Sequence, residues 1–308
     1  MRRVARHIER ELAKDPPDLV YVVEPMACSE LVTDIPVAMS HDQTFIERLN
    51  YFPFEKRPPC AAYVGQALLQ EGRAFRNIAL AAYPSHRSVA MIQAAYGLSP
   101  DHAVVIPWGG NLPLSPNADE ARAMIERRPF GPFTLTFIGV DWRRKGGIYV
   151  LEAHRLLRAR GLDVRLNIIG VAPPEPIDSS VTIVPFIDKS NPDDDRRFWG
   201  IMEQTHLLFV PSRVEAFGHV FCEAAAFAVP SIASDIGGIP TIIEDGVNGR
   251  LLSVDASGQD FADAIYEILS DREGYARMAR ASRERHDDSL NWDAFCQTII
   301  RRLLCRSV

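Results

Sequence analysis

Short apolar runs alternate with helical stretches along almost the whole chain. Residues 19–23 are wholly apolar, as is typical of a strand buried on both faces of a parallel sheet. Helical periodicity follows several such runs, which predicts α/β layers with binding sites at the carboxyl ends of the strands. Further strands are predicted at 36–39, 78–82, 103–106, 133–139, 164–169, 181–184, 206–210 and 229–233, and the main helices at 60–75, 85–96, 147–160, 196–204, 217–227, 259–269, 272–285 and 292–304.

The length of the chain, 308 residues, favours two domains over one. Residues 109–128 are polar and contain two prolines and several charges, so they are the best candidate for a domain boundary. We therefore expect a first α/β domain over 1–128 and a second over 129–290. The helical stretch at the end, 291–308, is expected to pack back on the first domain.

Composition and charge exclude several classes of protein. Hydrophobic residues make up 47% and charged residues 24%, which excludes a disordered chain, and no apolar run is long enough to span a bilayer. A formal charge of -6 argues against nucleic acid as a partner. An odd, dispersed set of cysteines without metal-ligand spacing fits reduced thiols in the cytoplasm. These cysteines are Cys28, Cys60, Cys222, Cys296 and Cys305.

The first helical stretch, residues 2–14, is rich in basic residues that could contact acidic lipid. It also carries Glu9 and Glu11, and an ordinary solvated helix face is the alternative. The expected localisation is therefore cytoplasmic, with peripheral membrane contact left open.

Residues 211–224 are the most informative segment, because a predicted strand ends there, a loop follows and a helix begins near Gly218. The start of such a helix presents unpaired backbone N–H groups and the positive end of the helix dipole, which suit a phosphate. Glu215 lies in the loop and Glu223 in the helix, so both carboxylates can line one cleft and accept hydrogen bonds from a hydroxyl-rich ligand. The alternative is a surface glutamate and a helix-capping glutamate.

A second segment, residues 139–147, also lies between the end of a strand and the start of a helix. Its cations Arg143, Arg144 and Lys145 follow Gly139 closely, and they could hold a diphosphate and stabilise it as a leaving group. The segment matches neither the dinucleotide-binding G-x-G-x-x-G pattern nor a Walker loop, which argues against NAD and simple ATPase chemistry. A solvated basic turn is the alternative.

Two further features carry less information. Gly237 and Gly238 follow a predicted strand, where paired glycines either let the backbone approach a ligand or permit a tight turn. His41 follows the strand that ends at Met39, from which an inward-facing ring could reach a cleft. A lone histidine is more often structural, and neither feature indicates a function by itself.

Taken in order, these segments resemble the retaining glycosyltransferases of the GT-B fold, in the large family-4-type group. The similarity is strongest over 133–292 and includes the E-x7-E signature from Glu215 to Glu223, followed by the paired glycines. The resemblance implies two Rossmann-like domains facing a cleft. It also implies an opening strand and a glycine-rich loop that this sequence does not contain, so the first domain is expected to be incomplete.

The resemblance implies a role for each matching residue. Glu223 would accept hydrogen bonds from the ribose, Glu215 would hold the transferred sugar, and Lys145 would neutralise the departing diphosphate. His41 would face the donor sugar, and the base would lie against Phe186. The residues assigned in this way are Glu215, Lys145, Arg144 and His41 for catalysis, and Glu223, Phe217, Gly218, Arg143, Gly139, Phe186, Gly237 and Gly238 for donor binding.

The implied reaction transfers a hexose from a UDP-, GDP- or ADP-linked donor to a carbohydrate or lipid-linked acceptor with retention of configuration. The family needs no metal or further cofactor for this reaction. Val140 stands where the family usually has arginine, and Thr241 where it usually has glutamate. The alternative is a chain that binds a nucleotide sugar without catalysis because it lacks the acceptor half.

Overall fold

The computed structural model describes residues 1–49 and 59–304, so Cys305 lies outside the described residues. The chain forms two compact units, one made of residues 1–107 with the segment from Trp292 onward, the other of residues 108–291. Each unit contains one sheet whose strand pairs are all parallel. The predicted α/β class is confirmed in both units.

The first unit is built on a four-stranded sheet in the order β1-β2-β3-β4. Every residue of the two central strands is buried, as expected of apolar strands between two layers of helices. Phe75, Tyr83 and Ile92 are among the largest buried side chains of its core. The elements are α1 (Arg2–Lys14), β1 (Val20–Val22), α2 (Pro25–Cys28), β2 (Val37–Met39), α3 (Phe45–Arg48), α4 (Ala61–Arg76), β3 (Leu80–Tyr83), α5 (His86–Tyr96) and β4 (Ala103–Val105).

The second unit is built on a six-stranded sheet in the order β10-β9-β8-β5-β6-β7. Its strands β8 and β9 are buried along their whole length, and the helices on both faces complete a single apolar core. The elements are α6 (Ala118–Arg127), β5 (Phe133–Ile138), α7 (Gly147–Ala159), β6 (Val164–Ile169), β7 (Val181–Val184), α8 (Pro192–Gln204), β8 (Leu207–Val210), α9 (His219–Ala226), β9 (Ser231–Ser234), α10 (Ile239–Ile242), β10 (Gly249–Leu252), α11 (Gly258–Ser270) and α12 (Arg272–Asp288).

The strand order of the second unit determines where a ligand can bind. From β5 the chain builds outward through β6 and β7, and it then returns to the other side of β5 with β8. In open parallel sheets, the crevice at the carboxyl ends of the two strands where the order reverses is the usual ligand site. The loops that follow β5 and β8 therefore lie at the expected position.

Residues 108–128 belong to the second unit, whereas the sequence placed the boundary after residue 128. The polar stretch that predicted a connector contains helix α6, which Asn117 and Glu120 begin with a reciprocal capping box. Ala121 is fully buried. Arg128 is 8% exposed and donates hydrogen bonds to the carbonyls of Phe227 and Ala228, which attaches the end of α6 to the unit.

Replacing Arg128 by methionine is expected to lower the free energy of unfolding by about 3 kcal/mol, because several buried acceptors lose their donor. Besides the two carbonyls near α9, the guanidinium contacts the Glu203 carbonyl and the Tyr275 hydroxyl. Urea denaturation measures the change. The exposed neighbour Arg127, replaced in the same way, should alter stability by less than about 0.5 kcal/mol. Equal effects of the two substitutions would contradict the anchoring role.

The C-terminal helix α13 (Trp292–Leu304) groups with the first unit. Its Phe295 is 3% exposed, and its ring meets the ring of Tyr21 on β1 edge to face with centroids 5.9 Å apart. No helix in the described part of the chain is both long enough and apolar enough to cross a bilayer.

Candidate functional site

The loops after β5 and β8 lie against each other at the carboxyl edge of the second sheet. The backbone N–H of Arg213 donates to the carbonyl of Arg144 over 2.7 Å. Gly139 follows β5 at a crowded position, since a Cβ there would lie 2.9 Å from Cγ of Lys145. The backbone contacts between the loops bring residues 139–146 close to residues 211–218.

Lys145 and Glu215 form an ion pair where these two loops meet. The Lys145 ammonium donates to Oε2 of Glu215, and the hydroxyl of Ser212 donates to the same oxygen over 3.0 Å. The two charged side chains are only 10% and 8% exposed. Two of the predicted catalytic residues, one from each loop, are therefore brought together, and they neutralise each other in a largely buried environment.

Glu223 lies on α9, the helix that follows the Glu215 loop. This helix begins after Gly218, whose backbone is left-handed with a φ of 100°. Its side chain is 4% exposed. Oε1 accepts a hydrogen bond from the backbone N–H of Asn111 over 3.2 Å and another from the ammonium of Lys189. Burial raises the pKa of the Glu223 carboxyl above its usual value, although the charge and hydrogen bond of Lys189 act in the opposite direction.

A pocket of about 290 Å³ opens beside Glu223 at this edge of the sheet. Apolar side chains form much of its lining, and a few charged or polar groups converge on it, which is the usual composition of a small-molecule site. The apolar residues are Ile138, Val140, Ile169, Phe186, Ile187, Phe198 and Val220, the glycines are Gly139 and Gly170, and the polar residues are Asn111, Lys145, Lys189, His219 and Glu223.

The segment that follows residue 107 holds the start of α9 in place. The His219 ring stacks on Trp108 with centroids 5.3 Å apart, and its Nδ1 is 2.9 Å from the carbonyl oxygen of Gly109. Gly110 passes so close to α9 that a Cβ there would lie 2.9 Å from Cγ of Glu223. These contacts position Asn111 for its hydrogen bond to Glu223.

The paired glycines pack against the backbone of the loop that carries Glu215. The N–H of Gly238 donates to the carbonyl of Ala216 over 2.7 Å. Gly237 has a φ of +57°, and a Cβ at this position would collide with the carbonyl oxygen of Glu215. The sequence left open whether these glycines approach a ligand or form a tight turn. In the described contacts, they pack against the backbone of the loop that carries Glu215.

Replacing Gly237 by alanine is expected to destabilise the chain by about 2–3 kcal/mol, because a strained φ and a backbone collision act together. Gly246 is a matched control, since its φ is +77° but a Cβ there meets no atom within 4 Å. Its alanine variant should lose only about 1 kcal/mol, from backbone strain alone. Thermal melting of the two variants measures the difference, and equal losses would show that the collision with Glu215 does not matter.

The structure brings only some of the other predicted residues to the pocket. Phe186 lines it and is 66% exposed, as an open wall would be. Arg144 donates to the carbonyl of Val214 over 3.3 Å, and Arg143 is exposed. Phe217 is buried beneath Trp108. Arg143, Arg144, Glu215, Phe217, Gly218, Gly237 and Gly238 are outside the lining of this pocket.

His41 belongs to the first unit and follows β2. Its Nδ1 lies 2.9 Å from the Asp42 carboxylate and 2.8 Å from the carbonyl oxygen of Gln43. Burial lowers the pKa of His41, but the hydrogen bond and charge of Asp42 and the Gln43 carbonyl outweigh it, so the pKa lies above its usual value. The predicted position of His41 facing a donor sugar stays a prediction.

Sequence reasoning missed Lys189, which contacts Glu223 from the loop after β7. The available signal was a cation shortly after the carboxyl end of a parallel strand, the position where ligand-binding residues collect. The cation alone gave no reason to connect it with Glu223. Within residues 1–49 and 59–304, no group of three or more histidine, cysteine or acidic side chains is arranged to hold a metal ion.

The profile of the family described as Glycosyl transferases group 1 matches residues 125–285, just over half of the chain. The chain belongs to the group 1 glycosyltransferases. The matched range contains both loops of the Lys145–Glu215 pair and the helix that carries Glu223.

Relatives of this glycosyltransferase include two D-inositol 3-phosphate glycosyltransferases. The protein from Corynebacterium aurimucosum is 28% identical over 216 residues, which cover 65% of this chain and 50% of the relative. The protein from Rhodococcus erythropolis is 26% identical over 278 residues, which cover 83% of this chain and 59% of the relative. The chain thus spans between half and three fifths of the length of these two relatives.

Solved structures share the fold of this glycosyltransferase. Sucrose-phosphate synthase from Thermosynechococcus elongatus aligns with a TM-score of 0.69 at 20% identity, over 98% of this chain and 78% of that protein. Anabaena HepE, solved in complex with UDP, aligns with a TM-score of 0.70 at 18% identity, over 97% and 81%. These likenesses confirm the predicted GT-B class, with two Rossmann-like α/β bodies, in a chain shorter than either protein.

Proposed function

We propose that this glycosyltransferase binds a nucleoside diphosphate sugar in the pocket beside Glu223 and transfers the sugar to a hydroxyl of a carbohydrate-type acceptor. The observation that carries the proposal is the placement of two lysine–glutamate pairs at the carboxyl edge of one sheet, next to an apolar wall. An apolar wall suits a nucleobase, carboxylates suit sugar hydroxyls, and cations suit a diphosphate.

The proposed roles of the residues follow from this chemistry. Glu223 accepts hydrogen bonds from the ribose, and Phe186 lies against the base. Glu215 holds hydroxyls of the transferred sugar. Lys145, with Arg144 nearby, neutralises the diphosphate as it departs, because charge that develops on a leaving group is best stabilised by cations already in place.

The proposed reaction retains the anomeric configuration, as in the family-4-type enzymes that the sequence resembles. The bond between the anomeric carbon and the phosphate oxygen breaks, and its electron pair stays on the phosphate. The acceptor oxygen bonds to the same face of the anomeric carbon, and its proton passes to the departing phosphate. Such a reaction depends on charge stabilisation at the leaving group rather than on a protein nucleophile.

UDP is the first nucleotide to test, since Anabaena HepE was solved with UDP-glucose and with UDP and glucose. A carbohydrate-type acceptor is in line with relatives named for transfer to inositol 3-phosphate. A lipid-linked sugar remains the other acceptor class, and an assay with both kinds of acceptor distinguishes them.

Thermal melting of the chain with UDP, GDP or ADP tests the donor site. A ligand at about 100 times its dissociation constant adds roughly 2.7 kcal/mol of stability, which gives a clear shift in Tm. A shift with one nucleotide identifies the donor class, and release of that nucleotide from the matching sugar donor in the presence of acceptor then tests transfer. Binding without turnover would favour a non-catalytic nucleotide-sugar-binding chain, and no shift with any nucleotide would overturn the proposed function.

A further inference from the structure

Lys189 is not among the signature residues, but its ammonium contacts both a buried carboxylate and an aromatic ring. Its ammonium donates to Oε1 of Glu223 and lies 5.0 Å from the centre of the Phe198 ring. The side chain is 22% exposed and the carboxylate side chain it contacts is 4% exposed. The two residues are separated by 34 positions, so the pair exists only in the folded unit.

The contact between Lys189 and Glu223 should matter more than an ordinary surface ion pair, because its carboxylate is buried. Exposed pairs contribute little because water solvates both partners well, whereas a buried carboxylate without a cation nearby is costly. Both Lys189 and Glu223 line the pocket proposed for the nucleotide. The charge of Lys189 therefore acts on a carboxylate that a ligand would also contact.

The groups that determine the charge state of Glu223 come from several elements packed around it. Lys189 approaches from the loop after β7 and donates to the carboxylate itself. The titratable and charged groups around Glu223 are Lys189 after β7, Lys145 after β5, His219 and Cys222 on α9 itself, and Arg285 on α12 behind Cys222.

We propose that Lys189 is a positioning residue for nucleotide binding, which keeps the Glu223 carboxylate ionised and directed at the pocket so that a ribose diol can donate to it. This inference rests on the proposed function of the pocket. Phe198 supports the lysine by covering its ammonium from one side, and the backbone N–H of Asn111 holds the same carboxylate oxygen.

Lys189→Met keeps a side chain of similar length but removes the charge, so that the Asn111 hydrogen bond and the charge of His219 are left to oppose the effect of burial on the pKa of Glu223. Without the cation this pKa rises further, so a larger share of the carboxyl is protonated as the pH falls. A protonated carboxyl accepts poorly from two hydroxyls. The ratio of the UDP dissociation constants of K189M and the parent is expected to be about tenfold at pH 6 and to fall as the pH rises.

Calorimetric titration with UDP at several pH values between 6 and 8.5 gives this ratio. The ratio cancels the pH dependence that binding has in both proteins, such as protonation of the UDP phosphates. K189R keeps a cation at the same place and should show no pH trend relative to the parent. Lys14→Met removes a lysine from an exposed pair with Glu11 and should leave UDP affinity unchanged.

The background variant Glu223→Gln provides the decisive comparison. In that background the K189M substitution is expected to have no pH-dependent effect, because the carboxyl on which it acts is gone. If the parent binds UDP but the ratio of the K189M and parent dissociation constants stays constant with pH, the role of Lys189 is overturned and the proposed function is not. A parent that binds none of UDP, GDP and ADP would overturn the proposed function, and this inference with it.

Discussion

Glu223→Gln is expected to weaken UDP binding about 100-fold, because the ribose would lose charge-assisted hydrogen bonds to a buried carboxylate. Glutamine has the same shape, so the pocket should keep its size. The change also leaves Lys189 without its anionic partner, which adds to the loss. Calorimetric titration at neutral pH measures the effect.

Glu126→Gln is the control for this prediction, since Glu126 is exposed on α6. It should bind UDP as the parent does. Melting curves without nucleotide show whether Glu223→Gln folds normally. A well-folded Glu223→Gln protein that binds UDP as tightly as the parent would show that the ribose lies elsewhere.

Lys145→Met is expected to lower the free energy of unfolding by about 3 kcal/mol, because it strands the Glu215 carboxylate in a largely buried environment. The hydroxyl of Ser212 is the remaining side-chain donor found for Oε2 of Glu215 in the described part of the chain. The double variant Lys145→Met/Glu215→Gln should recover most of this stability, since it removes both charges. Both proteins should lack transferase activity, because the diphosphate loses its cation.

Urea denaturation distinguishes the two contributions of Lys145. If the single and double variants unfold with the same free energy, the unpaired Glu215 carboxylate has no cost and the stability argument fails. Lys14→Met serves again as the reference for an exposed pair, with an expected change below about 0.5 kcal/mol. Loss of activity without loss of stability in the double variant would separate the proposed catalytic role of the pair from its structural role.

The sheets were predictable because most residues of their buried parallel strands are apolar. The strands expected at 133–139 and 164–169 are found as Phe133–Ile138 and Val164–Ile169. Strand β10 was missed, since Gly249–Leu252 is only four residues long and begins with glycine and arginine. Its pairing with β9 is a tertiary contact, which no local pattern announces.

The sequence predicted which loops carry the site residues, but not which side chains contact each other. Glu215 and Lys145 were placed correctly at the ends of two strands, but their ion pair joins residues 70 positions apart. The contacts of Lys189 and Asn111 with Glu223 depend in the same way on how distant segments meet. Helix α6 is different, because its capping signature at Asn117 and Glu120 was visible in the sequence and was outweighed by nearby prolines.

The pairing of β5 with β8, which begins at Leu135 and Leu207, also bears on when during synthesis the proposed nucleotide site can form. A nascent chain that has folded only through β7 can already associate three adjacent strands of the sheet. It then carries Lys145 but not Glu215 or Glu223. The proposed nucleotide site would therefore form only after α9 has emerged from the ribosome and docked, which is later than the first collapse of the second unit.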